Sequence, residues 1–351
     1  MPVSWGYTVN EPSKGDWSAL YQAAIAFQQA APWEWMGNED LFAIENPDDA
    51  EVGYCSILGA GGEEFGLGMF LGEDGYHRYI KVISEEVEPE DLEESMMVRG
   101  ISMLFVDRDV LQKKDREVIR SLGLRFRGKN VWPSFRNQRP GYVPWFLEKA
   151  EVLFFTTAIQ QALVVADEVR GGKLNPLEGE TENLILTRFY RDGKWHEEWR
   201  KAPELGQQQE THGENIDLVK EAEFHLLRGQ AGALSGRWEL DIFALPIPIG
   251  PRSGRPHFPI CFLAVETKLG LILGANLTEP WLTFSEKQDE VIQILRKAKQ
   301  LPLEIRVKSD KVKRVVEPIT RVLGIKLRVG SLPMLEQAKA SLDEHLSGRH
   351  T

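Results

Sequence analysis

One segment carries the residue types that proteins use to hold single-stranded nucleic acid. Between residues 123 and 145, cations are interleaved with aromatic rings and no acid interrupts them. The members are Arg125, Arg127, Lys129, Trp132, Arg136 and Arg139, with Phe126 and Phe135 between them. Cations of this kind follow a phosphate backbone while bases stack on the rings. The segment predicts nucleic-acid contact through Arg125, Arg127, Lys129, Trp132 and Arg136, unless its rings anchor the loop to the protein's own core.

The charge distribution also leaves two alternatives open. The net charge of −11 disfavours bulk attraction to nucleic acid or to anionic lipid. Residues 38–98 are strongly acidic, whereas residues 107–149 and 291–330 each contain 11 lysines and arginines and few acids. One alternative is that these blocks are solvated faces of the protein. The other is that the two basic surfaces contact a polyanion while the acidic surface points away from it.

Other familiar motifs are incomplete in this sequence. The glycine-rich run at 59–68 lacks a lysine before Ser or Thr, and Glu64 stands where GxGxxG needs its third glycine. His196 lacks the second histidine of an HExxH motif. The glycine-rich run therefore predicts a hairpin connection. Cys55 and Cys261 lie in apolar strands, and this position predicts buried, inert thiols.

Hydrophobic periodicity predicts the elements of the first half. Helices are predicted at 16–30, capped by Asp16, at 74–84, from 107 or 109 to 122, and at 146–170. Strands are predicted at 41–45, 54–58, 65–71 and 101–106, with a β-hairpin over 184–200 that turns at Asp192-Gly193. Residues 123–145 are predicted as a turn-rich connection without a strand.

The second half alternates strands and helices in the order βββαβαβα. Strands are predicted at 237–245, 260–267, 271–275, 303–307 and 325–329, and helices at 285–299, 310–323 and 333–347. Ser285 and Gln288 stand at capping-box spacing where the first of these helices begins. Because hairpins pair strands antiparallel and helical crossovers pair them parallel, we expect a mixed sheet with helices on its faces.

The length predicts two domains, and the order of strands and helices predicts the α/β class. We expect an α+β domain over residues 1–201, a linker over 202–215 where apolar residues are few, and an α/β domain over 216–351. No stretch reaches 18 apolar residues, and the first residues lack the pattern of a secretory signal. We therefore expect a cytoplasmic protein without a membrane partner.

Three stretches resemble an uncharacterised bacterial two-domain family that consists of tandem domains of unknown function. They are Pro32-Trp33-Glu34-Trp35-Met36, the run GYCSILGAGGEEFGLGMFLGEDG at 53–75 and LGIKLRVGSLP at 323–333. In its element order, the region from about 236 to 347 also resembles the ribonuclease H and integrase type of domain. The first resemblance implies a layout without a chemistry, and the second implies a fold.

The resemblance to ribonuclease H implies a catalytic carboxylate in the first strand, another at the end of the fourth, and others on helices. The matching residues are Asp241, Asp310, Glu336 and Asp343. Such carboxylates hold paired divalent ions that clamp the attacking and leaving oxygens of a phosphodiester. Asp241 and Asp310 would then be the metal ligands, unless Asp241 simply faces solvent and Asp310 belongs to a helix start at which either Ser309 or Asp310 is the cap.

These observations lead to three functional expectations. The first is a binding or regulatory module without proven catalysis. The alternative is a nuclease or phosphodiesterase, which would require Mg²⁺ or Mn²⁺ at Asp241 and Asp310. A third is a small-molecule binder that uses an apolar cleft between the domains.

Overall fold

The chain forms two compact units, residues 1–205 and residues 206–351. A computed structural model describes residues 11–84, 98–204, 228–229, 234–251, 254–298 and 300–347; the side chains of residues 82, 180 and 342–347 are outside that description. Most of the linker expected at 202–215 lies outside the described residues. The two units are called the first and the second domain below.

A seven-stranded sheet forms the centre of the first domain. Its strands are β1 (Phe42–Glu45), β2 (Val52–Leu58), β3 (Phe65–Leu71), β4 (Gly100–Val106), β5 (Trp132–Gln138), β6 (Leu184–Arg191) and β7 (Lys194–Lys201). They lie in the order β5-β4-β3-β2-β1-β6-β7. Only β1 and β6 pair parallel, and every other neighbouring pair is antiparallel. The sheet thus combines a five-stranded meander with a separate hairpin.

Helices cover both faces of this sheet. They are α1 (Lys14–Ala30), α2 (Gly72–Ile83), α3 (Lys113–Ser121) and α4 (Lys149–Arg170). α1 and α4 pack together over one face, where Phe27, Phe42 and Phe155 are fully buried. α2 packs on the opposite face against β2 and β3, where Tyr54 contacts Tyr76. Because successive strand residues point to opposite faces, the same strands supply both layers.

The helix starts differ from the sequence-based expectation for a local reason. Ser13, not Asp16, is the N-cap of α1: its hydroxyl accepts the Asp16 N–H at 3.1 Å, and the Asp16 carboxylate accepts the Ser13 N–H at 2.8 Å. α3 begins at Lys113 rather than near 107, because the Asp115 carboxylate accepts the Gln112 N–H at 2.9 Å. In both helices the acid occupies the third position, where it closes a capping box.

The edge strand β5 lies inside the segment that the sequence predicts to be a turn-rich connection. It pairs with β4 along its whole length, and Pro133 stands opposite Phe105. A proline has no N–H to donate and is therefore tolerated on an edge strand. The expectation of a connection without a strand is thus wrong over Trp132–Gln138.

α4 is long and apolar enough to cross a membrane by length and composition, but 56% of its apolar window is buried inside the protein. Its buried side chains include Phe154, Phe155, Ile159 and Val165, which belong to the core of the first domain. This burial is typical of a core helix. The cytoplasmic location expected from the sequence stays a prediction.

The second domain contains a five-stranded mixed sheet. Its elements are β8 (Arg237–Ala244), β9 (Ile260–Glu266), β10 (Ile272–Thr278), α5 (Phe284–Lys297), β11 (Glu304–Val307), α6 (Asp310–Leu323), β12 (Lys326–Val329) and α7 (Pro333–Ser347). The strand order is β10-β9-β8-β11-β12. β8, β9 and β10 pair antiparallel, whereas β11 pairs parallel with both β8 and β12. The predicted α/β class and the order βββαβαβα are confirmed.

The two faces of the second sheet carry separate apolar clusters. α5 and α6 cover one face, with Leu240, Phe262 and Ile305 fully buried. α7 contacts β8 and β9 on the other face, where Leu335 packs against Leu263. α5 begins after Thr283, whose hydroxyl accepts the N–H of Glu286, the third residue of the helix, at 3.2 Å. The capping box expected at Ser285 and Gln288 is therefore wrong by two residues.

Candidate functional site

The part of the basic segment that precedes β5, residues 123–131, is held by a hydrogen bond near each of its ends. It connects α3 to β5, and the Leu124 N–H donates to the Ile119 carbonyl at the end of α3 at 3.1 Å. At the other end, the Asn130 N–H donates to Asp107 Oδ1 at 2.8 Å, which fastens the segment to the residues that follow β4. Gly128 has a φ of 122°, a conformation that favours glycine. The segment is therefore fixed in place rather than free at the surface.

The aromatic rings of the segment point toward the core. The Phe126 ring lies 5.4 Å from the Trp132 ring and 6.5 Å from the Tyr21 ring, measured between centroids. Phe135 is only 3% exposed and meets Tyr21 edge to face at 5.1 Å. These contacts favour anchoring, one of the two alternatives left open by the sequence. Trp132 is half-buried, with the Arg108 guanidinium 6.0 Å from its ring centroid, and its role in nucleic-acid binding stays a prediction.

Arg136 is engaged in an ion pair below the surface. Its two terminal nitrogens donate to the two carboxylate oxygens of Asp115 at 2.9 and 2.6 Å. The two side chains are only 14% and 7% exposed, and the guanidinium also lies 5.0 Å from the centroid of the Phe146 ring. A fork of this kind satisfies both charges away from water. The charge of Arg136 is therefore satisfied within the protein, although the sequence predicts this arginine among the nucleic-acid contacts.

Arg125, Arg127 and Lys129 differ from Arg136 because all three are exposed. None of them makes a hydrogen bond or an ion pair with another residue that the structure describes. Leu124 and Phe126, which alternate with them, are half-buried against the core. Successive residues of an extended chain point to opposite sides, so residues two apart lie on the same side, roughly 6.6 Å from each other. We call Arg125, Arg127 and Lys129 the cationic strip.

Asp241 lies in β8 as predicted, but it does not face solvent. Its side chain is 6% exposed, and Oδ2 accepts from Nζ of Lys339 in α7 at 2.7 Å. Nζ also lies 3.8 Å from the centroid of the Phe243 ring. The solvent-facing alternative for Asp241 is therefore wrong, because α7 covers this part of the strand. The carboxylate charge is balanced by a lysine of the protein itself.

The other predicted carboxylates lie on different elements. Asp310 is exposed and is the first residue of α6; the cap is Ser309, whose hydroxyl accepts the Val312 N–H at 3.3 Å. Glu336 is exposed and accepts from Lys308 Nζ at 3.0 Å, and this hydrogen bond lowers the pKa of Glu336.

Asp343 lies in α7, among the residues whose side chains are outside the described part. Within the described part, no three side chains of His, Cys, Asp or Glu converge as a metal site. The catalytic roles of Asp241, Asp310, Glu336 and Asp343, and the metal at Asp241 and Asp310, stay predictions.

Sequence reasoning missed Glu239, the most buried carboxylate on this side of the sheet. It is 1% exposed and accepts the N–H of Leu335, in the first turn of α7, at 2.7 Å. Glu239 and Asp241 are two residues apart in β8, so they share one face of the sheet. The usable signal was this pair of acids in an otherwise apolar strand, because buried acids require partners. Both partners, Leu335 and Lys339, come from α7.

Both thiols are buried, as the sequence predicts. Cys55 is fully buried, and burial raises the pKa of its thiol far above the ordinary range. Burial also raises the pKa of Cys261 to about 11. Because the thiolate is the reactive form, both side chains are poor nucleophiles at neutral pH.

Two family models match successive parts of this chain. Residues 17–188 match a domain of unknown function (DUF7309), and residues 225–343 match another domain of unknown function (DUF6930). The chain consists of two tandem domains of unknown function. This confirms the layout that the sequence resembles, and neither family supplies a chemistry for the cationic strip or for the buried carboxylates.

Other comparisons add little to this result. None of the curated proteins matches the chain. Among solved structures, a chain from the cryo-EM structure of the simian T-cell lymphotropic virus intasome in complex with PP2A regulatory subunit B56 gamma is 16% identical, with a TM-score of 0.27. The match covers 34% of this chain and 42% of that one, less than half of its length. A likeness at this TM-score supports no conclusion about fold or activity.

Proposed function

We propose that the protein is a binding module that contacts single-stranded nucleic acid through the cationic strip of its first domain. The observation that carries this proposal is the exposure of Arg125, Arg127 and Lys129 without an ion-pair partner among the described residues. Other cations nearby are already engaged: Arg136 by Asp115, and Arg139 by Glu148. The strip is therefore a part of the basic region whose charge is available to an external anion.

The burial of the rings determines the kind of contact. Because Phe126 and Phe135 pack inward, the strip offers charge to a phosphate backbone rather than a platform on which bases stack. We infer binding with little sequence preference and with strong salt dependence. For single strands, log K falls with log salt by about 0.7 for each phosphate neutralised, so three contacts give a slope of about −2.

A second inference concerns the architecture of the second domain. Counted along the chain, its strands lie in the order third-second-first-fourth-fifth, with the first three antiparallel and the last two parallel. We infer from this order that it has a ribonuclease H-like fold. Because one fold serves many functions, this inference concerns architecture and assigns no catalysis to the domain.

The test is a salt series of fluorescence anisotropy titrations with the full chain. The probes are labelled 20-nucleotide single strands of DNA and of RNA with mixed sequence. The test variant replaces the strip with neutral residues of similar length: Arg125→Gln, Arg127→Gln and Lys129→Gln. We expect saturable binding by the native chain with a slope of about −2, and a slope near zero for the variant.

The matched control removes three exposed cations elsewhere, by Lys173→Gln, Lys194→Gln and Lys268→Gln. It changes the net charge by the same amount, so a general loss of attraction would weaken both variants equally. The proposal requires the control to retain the native slope. Equal loss in both variants, or binding by the native chain that ignores salt, contradicts it.

A further inference from the structure

A cavity of about 150 Å³ lies beside the first sheet, on the face where α2 packs. Its lining includes Ser56 of β2, Gly68 of β3 and Ser102 of β4, with Phe70 and Tyr79 beside them. The described residues that line it include no charged side chain. A cavity of this size holds one molecule about as large as benzene.

Gly68 keeps the floor of this cavity open, and nothing in the backbone requires a glycine there. A Cβ at Gly68 would find its nearest neighbour, in the Phe70 ring, at 3.8 Å, an ordinary van der Waals contact. Its φ is not among the positive values. A glycine within a strand costs stability because it packs nothing and has excess freedom when unfolded. The missing side chain leaves the space that forms the cavity.

Neighbouring glycines show the contrast. A Cβ at Gly66, two residues earlier in β3, would lie 1.9 Å from the Met103 carbonyl oxygen. A Cβ at Gly100 would lie 2.5 Å from the Met69 carbonyl oxygen. Close strand packing therefore requires glycine at these two positions, whereas at Gly68 it does not.

Two hydroxyls flank the open position in register. Ser56 is paired with Gly68, and Gly68 with Ser102, so the three residues form one row across β2, β3 and β4. Ser56 and Ser102 are two strand spacings apart, roughly 9.5 Å, which leaves room for one six-membered ring between two hydrogen bonds. The Ser56 hydroxyl donates to the Asn38 carbonyl at 2.9 Å and so presents lone pairs to an incoming donor.

We propose that this cavity binds a neutral one-ring molecule with a hydroxyl or N–H donor, of which phenol is the simplest example. The ring lies over Gly68 against the Phe70 side chain, and the donor reaches the row of serine hydroxyls. The uncharged lining explains the preference for a neutral ligand, because a charge would be desolvated there without a counter-charge. The site is independent of the cationic strip.

The test is a titration of the full chain with phenol and with toluene, its near-isostere without a hydroxyl, followed by saturation-transfer NMR and calorimetry. We expect saturable one-to-one binding of phenol, and roughly tenfold weaker binding of toluene because the hydrogen bond is lost. Equal affinity for both would overturn the donor assignment, and no saturable binding of phenol would overturn the site.

Variants then locate the binding. Gly68→Leu fills the cavity, and we expect it to lose phenol binding by at least tenfold. Gly68→Ala, whose Cβ meets only van der Waals contacts, keeps the fold and weakens binding less. The matched control is Gly61→Leu, in the β2–β3 connection, where a Cβ meets nothing within 4 Å. Native phenol affinity in folded Gly68→Leu, or equal loss in the control, would refute the proposal.

Discussion

The ion pair between Arg136 and Asp115 decides whether this arginine serves the fold or a ligand. Replacing Arg136 with methionine keeps much of the side-chain volume and removes two hydrogen bonds, of 2.9 and 2.6 Å, from a carboxylate that is 7% exposed. The Asp115 carboxylate keeps one donor, the Gln112 N–H at 2.9 Å. Breaking a buried pair in this way costs about 3–5 kcal/mol.

A loss of that size is a large part of the roughly 5–15 kcal/mol by which a domain is stable. The assay is urea unfolding of the full chain, fitted with separate transitions for its two compact units. We expect Arg136→Met to shift the transition of the first domain and to leave that of the second unchanged. The double variant Asp115→Asn with Arg136→Met should recover part of the loss, because no unpaired charge is then buried.

The same helix provides the control. Lys113 pairs with Glu117 at 3.8 Å, and those side chains are 88% and 54% exposed. Lys113→Met should cost about 0.5 kcal/mol or less, as exposed pairs one helical turn apart do. If Arg136→Met costs no more than this control, the buried-pair reasoning is refuted, and Arg136 returns to the set of side chains available to nucleic acid.

Two further predictions concern the second domain and the thiols. Lys339→Met should destabilise the second domain by roughly 3 kcal/mol in urea, because it leaves Asp241 buried without a counter-charge; an effect below about 1 kcal/mol would show that the carboxylate is solvated. Cys55 and Cys261 should react with a thiol reagent at neutral pH only after unfolding, because burial raises both pKa values. Fast labelling of either thiol in the folded chain would contradict the burial.

The second domain could be predicted closely because its signals are local. Each strand is a short apolar run between turn residues, and each helix has an apolar stripe that matches the sheet it covers. The error at α5 has a local cause as well. The run TFSEKQ contains capping-box spacing twice, at Thr283 with Glu286 and at Ser285 with Gln288, and the helix uses the first pair. Gln288 is instead buried, with its amide donating to the Val315 carbonyl at 3.5 Å.

The site residues could not be predicted in the same way, because their environments depend on distant parts of the chain. Asp241 is neutralised by a lysine 98 positions later, and Arg136 by an acid 21 positions earlier. In sequence, Arg136 is indistinguishable from Arg125 and Arg127, since all three are cations beside aromatic residues. Only the folded structure distinguishes the paired Arg136 from the exposed Arg125 and Arg127, and it is this distinction that defines the cationic strip within the basic region.

The glycines of β3 require the same kind of argument. Gly66 and Gly68 stand two residues apart in the run FGLGMF and share one face of the sheet. At Gly66, the carbonyl of Met103 occupies the position of a Cβ, so Gly66→Ala must move the backbone of β4 and should destabilise the domain by about 1–3 kcal/mol. At Gly68 the same change meets only van der Waals contacts. Because a Cβ at position 68 would make only ordinary contacts, the glycine there is better explained by the proposed ligand than by strand packing.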